Sequence, residues 1–219
     1  MKAVIVAGGE LHPADRAQLA DADLVLAADA GAQWLADQGL TPHILVGDMD
    51  SIPAALLARL EGQGVAIERH SADKEASDAE LAVERAVAAG AHQIVLIGAL
   101  GGERLDHELA NLLLAADEAW LSPSHELSIV RGQTRVRAVR GGARVDLHGG
   151  AGDLVTLLPI SGDAEGVRTN GLRFALTGEP LRMGRSRGLS NVIESPPASV
   201  SVDKGMLLVI ETSEKGAGR

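Results

Sequence analysis

The sequence predicts an α/β domain followed by an all-β domain. Three observations lead there. Short apolar runs alternate with helix-length stretches up to about Ser122, the signature of a parallel sheet covered by helices on both faces. Most of those apolar runs end in glycine or an acid within a few residues. After Pro123 the helical stretches cease, and short strands alternate with glycine-rich turns. The expected domains are therefore residues 1–123 and 124–219.

Lys2 to Val6 reads as a buried strand running into the Ala7-Gly8-Gly9 loop, followed by a short polar helix from Pro13. Leu24 to Ala28 is a second strand, ending at Asp29. Gln33 to Gln38 is a short helix in which Trp34 and Leu35 face the core. Ile44 to Val46 is a third strand and leads into Gly47-Asp48-Met49-Asp50-Ser51. On an extended backbone, residues i and i+2 point the same way, so Asp48 and Asp50 are expected to aim at one point. The same acids also read as turn formers, with Ser51 capping the helix Pro53 to Leu60. Val65 to Glu68 is a fourth strand. Ser77 and Glu80 have capping-box spacing, which starts a helix running to Gly90. Gln93 to Gly98 is a fifth strand, followed by a helix with Leu105, Leu109, Leu112, Leu113, Ala116 and Trp120 on one face, expected to be buried. Further strands are Leu127 to Val130, Arg135 to Val139, Leu154 to Pro159, Val200 to Val202 and Leu207 to Glu211. The first of these fits either sheet. The tail from Ser213 is polar and expected to fray.

Composition narrows the function. The chain has 219 residues and a formal net charge of −10, which disfavours a nucleic-acid surface built on clustered Lys and Arg. It has no cysteine, so thiolate metal sites and disulfides are excluded, and a reducing, cytoplasmic setting is the expectation. No apolar run is long enough for a membrane span, and no leader pattern precedes the first strand. GxxxxGK[ST], GxGxxG, GxSxG and HExxH are all missing, which disfavours P-loop, dinucleotide-binding, serine-hydrolase and zinc chemistry.

What remains is a set of acids after strands of one sheet: Asp29, Asp48, Asp50, Asp73, Asp78 and Asp106. In open α/β sheets, ligands bind at the carboxyl ends of strands. Neighbouring carboxylates repel unless a proton or cation lies between them, and Mg2+ takes one or two carboxylates together with phosphate oxygens. With Lys74 and Arg104 beside them, the acids look like a metal–polyphosphate site. Capping accounts for Ser77, Asp78 and Glu80 equally well, and dipole complementation for Asp106. Arg185-Ser186-Arg187-Gly188-Leu189-Ser190-Asn191 reads either as a basic turn or as a substrate contact.

As an ordered set, these segments resemble the thiamine pyrophosphokinase family. The matches are Ala28 to Ala32 (ADGGA), Gly47 to Ser51 (GD-x-DS), Asp73 to Asp78 (DKD-x-TD), Gly98 to His107 (G-x-x-GGR-x-DH), Leu109-Ala110-Asn111 (LAN) and Ser190-Asn191 (SN). Ala30, Glu75 and Val192 stand where the family pattern has Gly, Asp and Glu. The resemblance implies an N-terminal Rossmann-like sheet that binds ATP and Mg2+, a C-terminal antiparallel β-sandwich that binds thiamine, and a homodimer. The implied reaction is pyrophosphoryl transfer from ATP to the thiamine hydroxyl, giving AMP and thiamine diphosphate. The resemblance places Mg2+ on Asp48, Asp50 and Asp73, with Asp78, Arg104 and Asp106 completing the catalytic set. The nucleotide falls to Asp29, Gly31, Lys74, Gly101, Gly102 and Arg104, and thiamine to Arg187, Ser190 and Asn191. A pyrophosphokinase acting on a pterin, or a non-catalytic nucleotide-binding module, is the alternative.

Overall fold

The computed structural model describes residues 1–71, 73–120 and 125–214. The expected boundary at 123/124 and the tail beyond residue 214 lie outside them. The chain forms two compact units, Met1–Leu114 with Ser122–Gly132, and Ala115–Leu121 with Gln133–Arg219.

In the first unit, strands β1 (Lys2–Val6), β2 (Leu24–Ala28), β3 (Ile44–Gly47), β4 (Ala66–Arg69), β5 (Gln93–Ile97) and β6 (Glu126–Arg131) lie in the order β6-β5-β1-β2-β3-β4. All pairings in this set are parallel. Leu127 to Val130, which fitted either sheet by sequence, pairs here with β5. Strands β1, β2, β3 and β5 are near-continuous aliphatic runs because both faces of a parallel sheet are covered, whereas the edge strand β4 carries Glu68 and Arg69. Val4, Val6, Leu45, Val95 and Ile97 form one cluster with Leu35, Leu56 and Leu60 of the helices. Those helices are α1 (Gly31–Asp37) and α2 (Ala54–Gly62); α3 (Asp78–Ala88) and α4 (Leu105–Leu114) complete the set.

Local chemistry sets the helix starts. The Ser77 hydroxyl accepts from the Glu80 N–H at 3.1 Å and caps α3 as expected. Ser51 does not cap α2. Its hydroxyl donates to Asp50, and Pro53 opens the helix with no side-chain cap. The larger correction concerns α4. It stops at Leu114, and none of its residues is buried; Leu105, Leu109 and Leu113 are 67%, 52% and 59% exposed. Amphipathic spacing marks a face that seeks apolar cover, but it does not say that cover comes from the same unit.

The second unit contains β7 (Thr134–Arg140), β8 (Ala143–Asp146), β9 (Leu154–Pro159), β10 (Ala164–Asn170), β11 (Thr177–Leu181), β12 (Asn191–Val192), β13 (Ser199–Val202) and β14 (Met206–Thr212). They run β12-β9-β14-β7 and β11-β10-β13-β8, with antiparallel pairings. Val139, Val155, Leu157, Leu207 and Val209 of the first set share a cluster with Val167, Leu181, Val200 and Val202 of the second. Strands β8, β10, β11 and β12 do not stand out in the sequence: β8 and β12 are short, and β10 and β11 alternate weakly. Arg137 and Glu211 pair at 2.8 Å in the interior, and Glu211 also accepts from the His148 and Gly149 N–H groups. A buried charge needs this full set of partners.

Candidate active site

The acidic edge forms where β2, β3 and the start of α3 meet. Gly47 closes β3 at φ 152, and a Cβ there would meet the Asp29 Cβ at 3.1 Å and Asp78 Oδ1 at 3.2 Å. A glycine lets these two acids approach. The chain then turns through Met49, at φ 69 and only 6% exposed, anchored in the core. The backbone between Asp48 and Asp50 is therefore not extended, which corrects the i, i+2 argument. A left-handed residue makes the turn, and the Asp50 N–H donates to Asp48 Oδ1 at 3.2 Å. Asp29 is also left-handed, at φ 43. Non-glycine residues held in that region cost strain and cluster at functional sites.

One carboxylate oxygen from each of Asp29, Asp48 and Asp50 lies within 4.8 Å of the other two. Asp29 Oδ1 is buried and accepts no hydrogen bond among the described residues. Burial, with the charges of Asp78, Asp48 and Asp50 behind it, pushes the Asp29 carboxyl above its usual range. The Asp50 N–H, and then the Lys74 ammonium, hold Asp48 below that range. Lys74 lies 2.9 Å from Asp78 and 3.6 Å from Asp48. Burial works against its charge, but bonding to Asp78 and Asp48 prevails and raises its pKa.

The acids singled out by sequence do not all converge. Asp73 is exposed, its N–H donates to Ser71 Oγ at 3.1 Å, and it is not one of the three grouped carboxylates. Asp106 forms a two-pronged pair with Arg104, at 2.9 and 2.6 Å, that holds its carboxyl well below the usual range. Gly31 packs beneath the site. A Cβ there would fall 1.9 Å from the Val6 carbonyl oxygen, so the glycine serves close contact between α1 and β1.

Beside the acids opens a cleft of about 650 Å3. Its walls are the loops after β1, β2 and β5, including Gly9, Asp29, Gly101, Gly102 and Arg104, and the first turns of α3 and α4, including Asp78, Asp106 and His107. Carboxylate oxygens with an orphaned acceptor form a hard-oxygen donor set, which fits a divalent cation such as Mg2+ or Ca2+. An adjoining glycine-lined cleft suits a phosphate chain.

In the second unit the SN pair divides its labour. Asn191 is 7% exposed, and both ends of its amide are engaged. Its Oδ1 accepts from the Phe174 N–H at 3.0 Å and the Val192 N–H at 2.9 Å, and its Nδ2 donates to the Phe174 carbonyl at 2.8 Å. Phe174 itself is 64% exposed. Ser190 is exposed and left-handed at φ 55, with its N–H on Thr156 Oγ1. Arg187 is exposed, 3.5 Å from Glu179.

The thiamin pyrophosphokinase catalytic domain matches residues 16–121, and the thiamin pyrophosphokinase vitamin B1 binding domain matches residues 144–207. Thiamine pyrophosphokinase of Bacillus subtilis is 26% identical over 213 residues, spanning 96% of this chain and 98% of its own. Thiamine pyrophosphokinase 1 of Arabidopsis thaliana is 25% identical, spanning 89% and 80%. The crystal structure of the Geobacillus thermodenitrificans thiamin pyrophosphokinase superposes with a TM-score of 0.81 at 26% identity, covering 100% of both chains. The Candida albicans enzyme superposes at 0.81 with 15% identity, covering 96% and 88%, a likeness of fold. The two domain matches, in order, take in most of the sequence: the chain belongs to the thiamine pyrophosphokinase family.

Proposed function

We propose that this chain transfers the pyrophosphoryl group of ATP to the hydroxyl of thiamine, giving AMP and thiamine diphosphate. The observation that carries this reading is the convergence of Asp29, Asp48 and Asp50 beside a glycine-walled cleft. The match of residues 144–207 to a vitamin B1 binding domain favours thiamine over a pterin.

Asp29, Asp48 and Asp50 would hold Mg2+, and the exposed Asp73 would meet the cation or phosphates only once they are bound. When bound, the cation neutralises phosphate charge and draws an anion towards an acidic surface. The protein's own part is positioning and charge stabilisation, which dominate phosphoryl chemistry. Lys74, with Asp78 and Asp48 keeping it protonated, places a fixed positive charge beside the phosphates. Arg104, Gly101 and Gly102 line the phosphate path, and Asp106 orients the Arg104 guanidinium. The thiamine hydroxyl oxygen bonds to the β-phosphorus as the bond from that phosphorus to the α–β bridging oxygen breaks. AMP leaves with the bridging oxygen, and the hydroxyl proton departs to a base. Ser190, Arg187 and the exposed Phe174 ring would receive thiamine, with Asn191 bracing the Phe174 backbone.

The exposed Leu105, Leu109 and Leu113 stripe supports a homodimer in which a second copy covers α4. Leu109→Asp is then expected to turn a dimer into a monomer in sedimentation equilibrium; a wild type that is monomeric at micromolar concentration would remove the dimer. The reaction itself is tested by nucleotide analysis. AMP should form only with thiamine and a divalent cation present, and ADP as the product would reject pyrophosphoryl transfer.

A further inference from the structure

The loop after β5 is tied at both ends and unpaired in its middle. Gly98 starts it at φ 66, and its carbonyl accepts from the Gly9 N–H at 2.7 Å. The next carbonyl, that of Ala99, accepts from Asn111 Nδ2 on α4 at 2.8 Å. At the far end the Arg104 guanidinium is clamped on Asp106. Between these anchors Gly101 and Gly102 are both left-handed, at φ 78 and 105. Among the described residues, none accepts a hydrogen bond from the N–H of Leu100, Gly101 or Gly102. Backbone N–H groups left free around left-handed residues make an anion-binding concavity, and Gly101 and Gly102 line the cleft.

A concavity of this kind holds an anion tightly only when it is ordered beforehand, because a loop that must be ordered on binding costs affinity. The loop belongs to no helix or strand, so its own backbone does not order it. Asn111 supplies an external tie from a regular helix. Its amide nitrogen must face Ala99, since a carbonyl offers only an acceptor. Asn111 also lines the cleft, with one of its two amide N–H donors held by the loop.

We propose that Asn111 is a positioning residue for the phosphate chain of ATP, acting through the Ala99 carbonyl to hold the Leu100–Gly102 N–H groups in place. The inference rests on the proposed function only for the identity of the anion. It deepens that reading by separating the residue that shapes the anion cradle from the acids that would hold the cation.

The test is Asn111→Leu, which keeps the branched side-chain shape and removes the donor. The affinity for a non-hydrolysable ATP analogue with Mg2+, measured by calorimetry, should fall about tenfold, equivalent to about 1.4 kcal/mol. KM for ATP should rise similarly, while KM for thiamine stays within about twofold. Asn111→Gln, which restores a donor, should recover most of the loss. Should Asn111→Leu fail to fold, Gly101→Ala displaces the same loop independently, because a Cβ there meets Glu10 and Arg131, and the same nucleotide-selective loss is expected. Unchanged nucleotide affinity, or equal losses for ATP and thiamine, overturns the inference. A wild type that binds the analogue but releases no AMP from thiamine overturns the proposed function instead. In that case a selective loss in Asn111→Leu still supports the loop assignment.

Discussion

Asp29 and Asn191 are both short polar side chains in family motifs, one in each unit, and they are used in opposite ways. Asp29 carries a buried oxygen with no hydrogen-bond partner among the described residues and is crowded by like charges. Asn191 has both ends of its amide committed to backbone groups. An unsatisfied buried acceptor costs free energy that a ligand can return; a satisfied amide has nothing left to offer a ligand. In the first unit Asp29 therefore keeps an oxygen available for chemistry. The second uses Asn191 as scaffold and exposes the neighbouring Phe174. Motif membership does not separate these roles, whereas hydrogen-bond accounting does.

The sharpest test of the first half is Asp50→Asn. It removes charge while keeping shape, and turnover should fall by about 100-fold or more, read as the rate of AMP release. Near-normal turnover would take Asp50 out of the site. For the second half, Asn191→Leu strands the Phe174 N–H and carbonyl. A loss of about 2–3 kcal/mol is expected in urea unfolding, with a lowered melting temperature. A variant of undiminished stability would show that the amide is free for thiamine after all. Phe174→Ala should do the reverse, leaving the melting temperature nearly unchanged while raising KM for thiamine about fivefold through lost ring stacking.

The smallest effect concerns Asp29. Its pKa is raised in the folded protein, so its contribution to stability is present at acid pH and is lost as pH rises through the folded value. Cation-free protein should accordingly lose melting temperature across that rise, and added Mg2+ should restore it. Asp29→Asn should flatten both responses and melt higher than the wild type at neutral pH without cation. An unaltered Mg2+ response in that variant would separate Asp29 from the cation.

The aliphatic strands, the Ser77 cap and the acids at the ends of β2 and β3 were legible because each depends on a few neighbouring residues. Strands β10 and β11 were not, since their pairing has register shifts and their alternation is weak. The α4 stripe has the spacing of a buried face yet lies exposed, and the close contact that requires glycine at Gly31 comes from Val6, distant in the chain.

The sequence by itself determined the division into α/β and β parts, the parallel order of mostly buried strands, and the residue types available for phosphate chemistry. Hydropathy period and turn chemistry are local properties, carried by adjacent residues. Only the tertiary structure decided which acids meet, that Met49 turns left-handed to bring Asp48 and Asp50 together with Asp29, and that the Asn191 and Asn111 amides bond to backbone groups. Those outcomes depend on distances between residues far apart in the chain, and no local pattern encodes such distances.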